Sequence, residues 1–164
     1  MIELLVFDID GCMTDGKIIY TASGDELKAF NVKDGFAIVQ WIRLGKKAAI
    51  ITGRNSPIVA RRAEELGIEH CYQGVKDKLD TLTSLCESLQ ISFENVAAIG
   101  DDLNDAKLLK SVGVSFAPAD AMHYVIELAD VVLSKKGGDG AVREMIELLI
   151  KQEGLQGEYL SRWL

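Results

Sequence analysis

The chain has 164 residues, a length typical of one domain with a single core. Hydrophobic residues make up 48% and charged residues 26%, which is a globular rather than a disordered composition. The formal net charge of −7 argues against nucleic acid as a partner, because a polyphosphate backbone would be repelled.

Neither export nor membrane insertion is indicated by the sequence. The segment from Met1 to Phe7 has no basic leader, and no apolar run approaches the ~18 residues of a membrane span. Cys12, Cys71 and Cys86 are scattered without a CxxC spacing, which favours reduced thiols over disulfides or a metal site. We therefore expect a cytoplasmic protein with no membrane partner.

Short apolar runs alternate with amphipathic segments along the whole chain. The first half predicts, in order, a strand at 3–7, a hairpin of strands at 17–20 and 26–30, a helix from Asp34 to about Leu44, a strand at 47–51, a helix from Ser56-Pro57 to Gly67, and a strand at 70–72. The second half predicts helices at about 77–89, 104–111, 121–128 and 140–151, and strands at 96–99, 114–116 and 130–133.

This alternation of strands and helices indicates βαβ units. It predicts a three-layer, Rossmann-like α/β fold with a mostly parallel sheet. Residues 1–164 are expected to form a single domain, with a small hairpin insertion at about 16–33 and a C-terminal tail at about 152–164.

Polar residues follow three of the predicted strands directly. Ligands bind beyond the carboxyl ends of the strands in such sheets. The residues at these ends are Asp8 and Asp10 after the first strand, Thr52-Gly53-Arg54 after the strand at 47–51, and Asp101-Asp102 after the strand at 96–99. These residues are therefore the candidate catalytic and ligand-binding residues.

Two acidic clusters are expected to meet at this edge. Asp8 and Asp10 would repel each other unless a positive charge compensates them, although Asp and Gly also favour simple turns and caps. The cluster from Asp101 to Asp105 is open to the same alternative, an N-terminal helix cap. If both clusters converge, a hard cation such as Mg²⁺ is the simplest compensation.

Two further groups complete a site for phosphate. Thr52 offers a hydroxyl and a backbone N–H at a strand end, and Lys78 lies in the first turn of a predicted helix. Taken alone, Lys78 would be interpreted as a solvated surface residue. Its place in the order Asp, Thr, Lys, Asp favours a role at the site.

That order resembles the haloacid dehalogenase superfamily of phosphatases. The motifs that carry the resemblance are Asp8-x-Asp10-Gly11-x-x-Thr14-Asp15-Gly16, Thr52-Gly53, Lys78 and Gly100-Asp101-Asp102-x-x-Asp105. The resemblance implies that Asp8 is the nucleophile and that Asp10 acts first as general acid and then as general base. It also implies that Thr52 and Lys78 hold the transferred phosphoryl group.

The resemblance further implies a set of metal ligands. Asp8, Asp101 and the backbone carbonyl of Asp10 would bind Mg²⁺. Asp102 and Asp105 would orient Lys78 or metal-bound water. The intervals between the motifs are filled by the predicted hairpin, helices and strands, so no room remains for the cap domain that many superfamily members carry.

Other segments narrow the similarity to phosphatases of 3-deoxy-D-manno-octulosonate 8-phosphate, an eight-carbon sugar acid. These segments are the hairpin through Gly35, Ile51-Thr52-Gly53-Arg54, Gln73-Gly74 and Gly137-Gly138-Asp139-Gly140-Ala141-Val142-Arg143-Glu144. The resemblance implies lipopolysaccharide precursor synthesis. It also implies a homotetramer whose hairpins associate and whose C-terminal segments cover neighbouring sites.

Several residues bear on the choice of substrate. Arg54 offers a bidentate contact to a sugar-acid carboxylate, and relatives acting on nine-carbon acids tend to have Glu there. Arg62 would add positive charge, although a solvated helix face beside Glu64 and Glu65 is the simpler interpretation. Asp139 stands where the family usually has a basic residue. In the tail, Trp163 suggests docking onto another subunit.

Three other functions are compatible with parts of this pattern. A signalling receiver domain shares Asp, Thr and Lys on a similar sheet, but its acidic pair precedes the phosphorylated Asp, and here the order differs. A phosphatase-like assembly domain would usually lack Asp8 or Lys78. A promiscuous sugar phosphatase, or one for a nine-carbon sugar acid 9-phosphate, differs only in substrate range and is the most serious alternative.

Overall fold

The computed structural model describes residues 1–164, with eight strands and seven α-helices. The strands are β1 (Leu4–Phe7), β2 (Ile19–Tyr20), β3 (Glu26–Leu27), β4 (Lys47–Ile51), β5 (His70–Tyr72), β6 (Val96–Ile99), β7 (Val114–Ala117) and β8 (Val131–Val132). The helices are α1 (Val32–Arg43), α2 (Pro57–Leu66), α3 (Lys78–Leu89), α4 (Ala106–Leu109), α5 (His123–Leu128), α6 (Ala141–Gln152) and α7 (Gln156–Leu160).

Six strands form one parallel sheet in the order β5-β4-β1-β6-β7-β8. The two remaining strands, β2 and β3, pair antiparallel as a separate hairpin. The predicted Rossmann-like α/β fold is thus confirmed. Because β1 lies between β4 and β6, the residues that follow these three strands are neighbours at one edge of the sheet.

The sheet separates two hydrophobic cores. Side chains of β1 alternate between them, with Leu5 and Phe7 on one face and Leu4 and Val6 on the other. Helices α1, α2 and α6 pack on the first face, and α3, α4 and α5 on the second. Burial on both faces explains why the central strands are apolar throughout.

The start of α1 differs from the expectation. Asn31, rather than Asp34, caps this helix by accepting a hydrogen bond from the backbone N–H of Lys33 at 2.8 Å. Asp34 is buried in the first turn and accepts a 2.8 Å hydrogen bond from the backbone N–H of Arg143. Its carboxylate therefore accepts from a backbone N–H in the first turn of α6, which has no partner within that helix and is remote from Asp34 in sequence.

Two other segments also differ from the sequence-based expectation. The helix expected at 104–111 is a short 3₁₀ turn over Leu103–Asp105 followed by the four-residue α4, and the tail contains α7. None of the helices combines the length and the apolar character needed to span a bilayer.

Candidate active site

Asp8 lies directly after β1, at the centre of the sheet. Its backbone N–H donates to the carbonyl of Ile99 at 3.3 Å, which joins the ends of β1 and β6. The chain then turns through an irregular helical segment over Ile9–Met13, in which Gly11 has a φ of 99°. Asp8 is buried, so its carboxylate needs partners within the protein.

Lys78 supplies the positive partner from the first residue of α3. Its Nζ donates to Asp8 Oδ1 at 2.8 Å and to Asp105 Oδ1 at 2.5 Å, and all three side chains are buried. Burial alone would lower the pKa of Lys78, but the charges of Asp8 and Asp105 outweigh it and raise that pKa. Lys78 is therefore a fixed cation beside Asp8, and not a solvated surface lysine.

The second acidic cluster is organised by hydrogen bonds to its own backbone. Asp105 Oδ2 accepts from the N–H of Asp101 at 3.0 Å, and Asp102 Oδ1 accepts from the N–H of Leu103 at 2.7 Å. Asp102 is thus a helix cap, as the simpler alternative anticipated, although it also lines the site. Asp105 joins this turn to Lys78 and so to Asp8.

Negative charge is concentrated around Asp8 and Asp101. Burial raises the pKa of Asp8 to about 6 and that of Asp101 to about 8, and the neighbouring carboxylates add to both rises. Lys78 opposes these rises but does not cancel them. Such crowding is relieved when a cation joins the carboxylates.

The donor atoms fit a hard divalent cation. Carboxylate oxygens of Asp8 and Asp101 and the thiol sulfur of Cys12 all lie within 4.8 Å of one another. Two carboxylates that face a cavity with room for water and phosphate oxygens are the arrangement in which Mg²⁺ is usually held. The sulfur is a soft donor, which Mg²⁺ does not use.

A cavity of about 280 Å³ opens onto these groups. It is lined by nine residues that contain no hydrophobic side chain, namely Asp8, Asp10, Gly16, Thr52, Gly53, Arg54, Asp101, Asp102 and Asn104. Most of the candidate residues therefore share one polar cavity, with Lys78 and Asp105 directly behind Asp8. A cavity with this lining suits a charged, oxygen-rich ligand.

Arg54 and Arg62 take different positions. Arg54 lines the cavity, and its Nη2 lies 3.4 Å from both Glu26 Oε1 and Tyr20 Oη of the hairpin. Arg62 does not line it: its guanidinium packs over the ring of Phe30, 5.6 Å from the centroid. The structure thus brings Arg54 to the site but leaves Arg62 beneath the hairpin.

Two hairpin residues at the site, Glu26 and Lys28, were not predicted from the sequence. Lys28 Nζ donates to Asp10 Oδ1 at 2.5 Å and lies 3.2 Å from Glu26 Oε1. The available signal was the spacing, since Glu26 and Lys28 flank Leu27 in the predicted strand at 26–30 and would therefore point to the same side. Leu27, which points the other way, is 52% exposed.

The Gly-rich loop near the C-terminus packs against the turn that follows Asp8. The N–H of Gly138 donates to the carbonyl of Cys12 at 3.0 Å, and a Cβ on Gly137 would lie 1.8 Å from the carbonyl oxygen of Gly11. This loop is thus a close backbone support for the turn. Asp139 lines a separate surface cavity, so its carboxylate is not among the groups around Asp8.

The C-terminal tail packs on its own chain. Tyr159 is buried in the first core, and the ring of Trp163 lies 5.2 Å from that of Phe36 on α1. Arg143 also packs on Phe36, 5.2 Å from the ring centroid. Trp163 therefore has an intramolecular partner, which the sequence did not indicate.

Comparison with known proteins is consistent with this geometry. Residues 72–146 match the haloacid dehalogenase-like hydrolase family. The chain is 46% identical to the 3-deoxy-D-manno-octulosonate 8-phosphate phosphatase KdsC of Escherichia coli K12 over 93% of this chain and 81% of that protein. It is 47% identical to the protein of the same name from Yersinia pestis, over 95% of this chain and 84% of that one.

Solved structures agree with these relatives. The phosphatase from Moraxella catarrhalis, in complex with magnesium, phosphate and KDO, superposes with a TM-score of 0.97 and is 40% identical, covering 99% of this chain and 94% of that one. A cobalt-bound form from Haemophilus influenzae has a TM-score of 0.90 at 38% identity, covering 93% and 90%. The chain therefore belongs to the haloacid dehalogenase-like hydrolases, in the family of 3-deoxy-D-manno-octulosonate 8-phosphate phosphatases.

Proposed function

We propose that the protein is a Mg²⁺-dependent phosphomonoesterase that releases phosphate from 3-deoxy-D-manno-octulosonate 8-phosphate. The proposal depends on the surroundings of Asp8. Its Oδ1 lies 2.8 Å from Nζ of the buried Lys78, and its side chain shares a polar cavity with Asp10, Thr52 and Asp101. Relatives with 46% and 47% identity carry that phosphatase name, and the M. catarrhalis structure holds magnesium, phosphate and KDO.

Asp8, Asp101 and the backbone carbonyl of Asp10 are the proposed ligands of Mg²⁺. The ion, when bound, neutralises charge on the phosphoryl oxygens and so allows an anionic substrate into an acidic site. Lys78 adds the fixed positive charge of the protein itself. Asp105 holds Lys78 in place through the 2.5 Å contact, while Asp102 stabilises the turn that carries Asp101.

In the first half of the reaction, a carboxylate oxygen of Asp8 forms a bond to phosphorus. The bond from phosphorus to the sugar oxygen breaks, and Asp10 gives its proton to that oxygen. Thr52, buried at the end of β4, is placed to donate its hydroxyl to the phosphoryl group. The products are the free sugar acid and an aspartyl-phosphate on Asp8.

In the second half, Asp10 takes a proton from water, and the water oxygen forms a new bond to phosphorus. The bond between Asp8 and phosphorus breaks, which releases inorganic phosphate and restores both carboxyl groups to their starting states. A carboxylate nucleophile thus divides one difficult displacement into two easier ones. Phosphoryl transfer of this kind depends mainly on positioning and charge neutralisation.

Arg54 is the proposed contact for the carboxylate of the sugar acid. Its side chain is 44% exposed and lines the cavity beside Gly53. A planar guanidinium offers paired donors to a carboxylate, which favours a keto-acid phosphate over a neutral sugar phosphate. Arg62 is proposed as a weaker contributor of positive charge, although it packs beneath the hairpin.

The test is phosphate release from a panel of phosphorylated compounds, with and without a chelator. The panel contains the eight-carbon acid 8-phosphate, a nine-carbon keto acid 9-phosphate and neutral sugar phosphates. We expect the highest kcat/KM for the eight-carbon acid and no turnover in chelator. Similar rates on all members would show a promiscuous phosphatase, and no release from any member would contradict the proposed function.

We also propose that the single domain 1–164 assembles as a homotetramer through its hairpins. Four large apolar side chains of the hairpin region are 41–61% exposed, namely Ile18, Ile19, Tyr20 and Leu27. Exposed apolar patches of this kind mark interaction sites. Light scattering on wild type should give four times 17.9 kDa, and Ile19→Lys should lower that mass, whereas Val132→Lys on β8 should not. A monomeric wild type would contradict the assembly.

A cytoplasmic location is proposed on chemical grounds. All three cysteines are free in the structure, which is usual in a reducing compartment. The proposed substrate is a small phosphorylated metabolite, a precursor of lipopolysaccharide. Fractionation followed by immunodetection should find the protein with cytoplasmic enzymes.

A further inference from the structure

Lys28 is a partly buried residue whose side chain is enclosed and contacts the general acid of the proposed reaction. It follows β3 of the hairpin, and only 1% of its side chain is exposed. Its Nζ lies 2.5 Å from Asp10 Oδ1. Burial removes much of the solvation of a lysine, which costs free energy. A short hairpin with strands of two residues would therefore gain little stability by itself from enclosing Lys28.

The two oxygens of Asp10 have different environments. Oδ1 is held by Lys28, whereas Oδ2 accepts no hydrogen bond and lies 3.9 Å from Arg54 Nε. Asp10 also lines the cavity that holds Asp8. One oxygen is thus fixed by the hairpin, and the other is left available for a proton that is exchanged with a ligand in the cavity.

Lys28 itself is fixed by a second contact. Glu26 Oε1 lies 3.2 Å from Lys28 Nζ and 3.4 Å from Arg54 Nη2. Lys28 therefore has carboxylates on two sides, which restricts the position of its ammonium group. The hairpin, Asp10 and Arg54 form one connected set of charges at the rim of the cavity.

We propose that Lys28 is a positioning residue for the reaction, which acts by holding Asp10 so that Oδ2 faces the leaving oxygen of the substrate. This inference rests on the proposed function, in which the proton on Asp10 passes to that oxygen as its bond to phosphorus breaks. A carboxyl group must lie within hydrogen-bond reach of the atom that it protonates. Lys28 supplies that orientation from outside the sheet.

The consequence depends on the leaving group. A sugar alkoxide is a poor leaving group that needs the proton from Asp10, whereas p-nitrophenolate leaves as a stable anion. The value of kcat/KM reports only the steps up to departure of the leaving group, so later breakdown of the aspartyl-phosphate does not enter it. Loss of Lys28 should therefore lower kcat/KM for a sugar phosphate far more than for p-nitrophenyl phosphate.

The experiment compares wild type with Lys28→Met, Lys28→Arg and Lys17→Met on both substrates with saturating Mg²⁺. Lys17 is a matched control, because it is 75% exposed and pairs only with Asp15, at 3.0 Å. We expect K28M to lose about 10²-fold in kcat/KM on the sugar phosphate. On the aryl phosphate, its loss in kcat/KM should be less than about 10-fold. K28R should recover most of the loss, and K17M should match wild type.

Equal losses on both substrates, or no loss on the sugar phosphate, would overturn the positioning role. A double-mutant comparison gives a second reading in single turnovers: K28M should add no further loss in an Asp10→Asn background, and an additive loss would also overturn the role. Melting temperatures confirm folding, and Lys28→Gln replaces K28M should the methionine variant be unfolded. If wild type releases no phosphate from either substrate, the proposed function fails instead.

Discussion

The contact between the Gly-rich loop and the turn after Asp8 allows a sharp prediction for Gly137→Ala. The new Cβ would lie 1.8 Å from the carbonyl oxygen of Gly11 and 2.5 Å from its carbonyl carbon. Non-bonded carbon and oxygen atoms keep about 3.3 Å or more between them, so the two loops must separate by roughly 1.5 Å. Both atoms belong to the backbone, and neither can rotate away as a flexible side chain would.

Both stability and activity should respond to this separation. Overpacking of a well-packed site typically costs about 1–3 kcal/mol, and the rigid contact places G137A near the upper end of that range. Gly11 follows Asp10 directly, so the same shift displaces the proposed acid and its backbone carbonyl. A displacement of about 1 Å can lower turnover about 10²-fold.

Urea unfolding and phosphate release measure the two effects. With urea m-values of about 1–3 kcal/mol/M, a loss near 3 kcal/mol should lower the unfolding midpoint of G137A by about 1–3 M. Gly157→Ala is the control, since a Cβ there meets nothing within 4 Å and the residue lies in α7. It should be neutral, or stabilising by up to about 1 kcal/mol. A G137A protein with wild-type midpoint and turnover would refute the reasoning.

Three other variants test separate parts of the structure. Asp8→Asn should stay folded and bind Mg²⁺ but release no phosphate; retained hydrolysis would contradict the proposed nucleophile. Burial raises the pKa of Asp34 to about 6 from its ordinary 3.8, so the folded chain keeps a proton that the unfolded chain loses, and stability falls as pH rises between these values. Asp34→Asn should remove that fall. Relative to wild type, its free energy of unfolding in urea should therefore rise by up to roughly 3 kcal/mol between pH 4 and pH 7. A difference between the two proteins that does not change with pH would contradict this prediction. Ser115→Ala removes a buried hydroxyl that donates to Asp130 at 2.7 Å and accepts its N–H at 3.0 Å, so unfolding should become easier by about 1–3 kcal/mol; an unchanged urea midpoint would show that this link contributes nothing.

Local sequence patterns predicted the bounds of several central strands and helices correctly. The strands at 70–72 and 96–99 have the predicted bounds, because apolar runs between turn residues leave few alternatives. The helix expected from Ser56-Pro57 to Gly67 is also confirmed, with Ser56 as its N-cap and Gly67 in the left-handed conformation at its end. These features depend on the backbone preferences of neighbouring residues and not on distant contacts.

Remote contacts account for the differences. Asp34 has the residue type of a cap, but its hydrogen-bond partner is Arg143 on another helix, and no local pattern reveals that pairing. Trp163 packs on Phe36, which no pattern in the tail indicates, and its contact with another subunit stays a prediction because the residue is still 53% exposed. In each case, the decisive partner is more than a hundred residues away along the chain.

The sequence alone determined the sheet, the acidic residues at its edge and the phosphate chemistry that they support. It could do so because parallel strands bring their carboxyl ends to one edge, whatever the details of packing. Only the tertiary structure decided that Lys78 is buried between Asp8 and Asp105, that Arg62 packs beneath the hairpin, and that Lys28 contacts Asp10. A side chain's partners depend on how separate elements pack in three dimensions, and residue order does not specify that packing by itself.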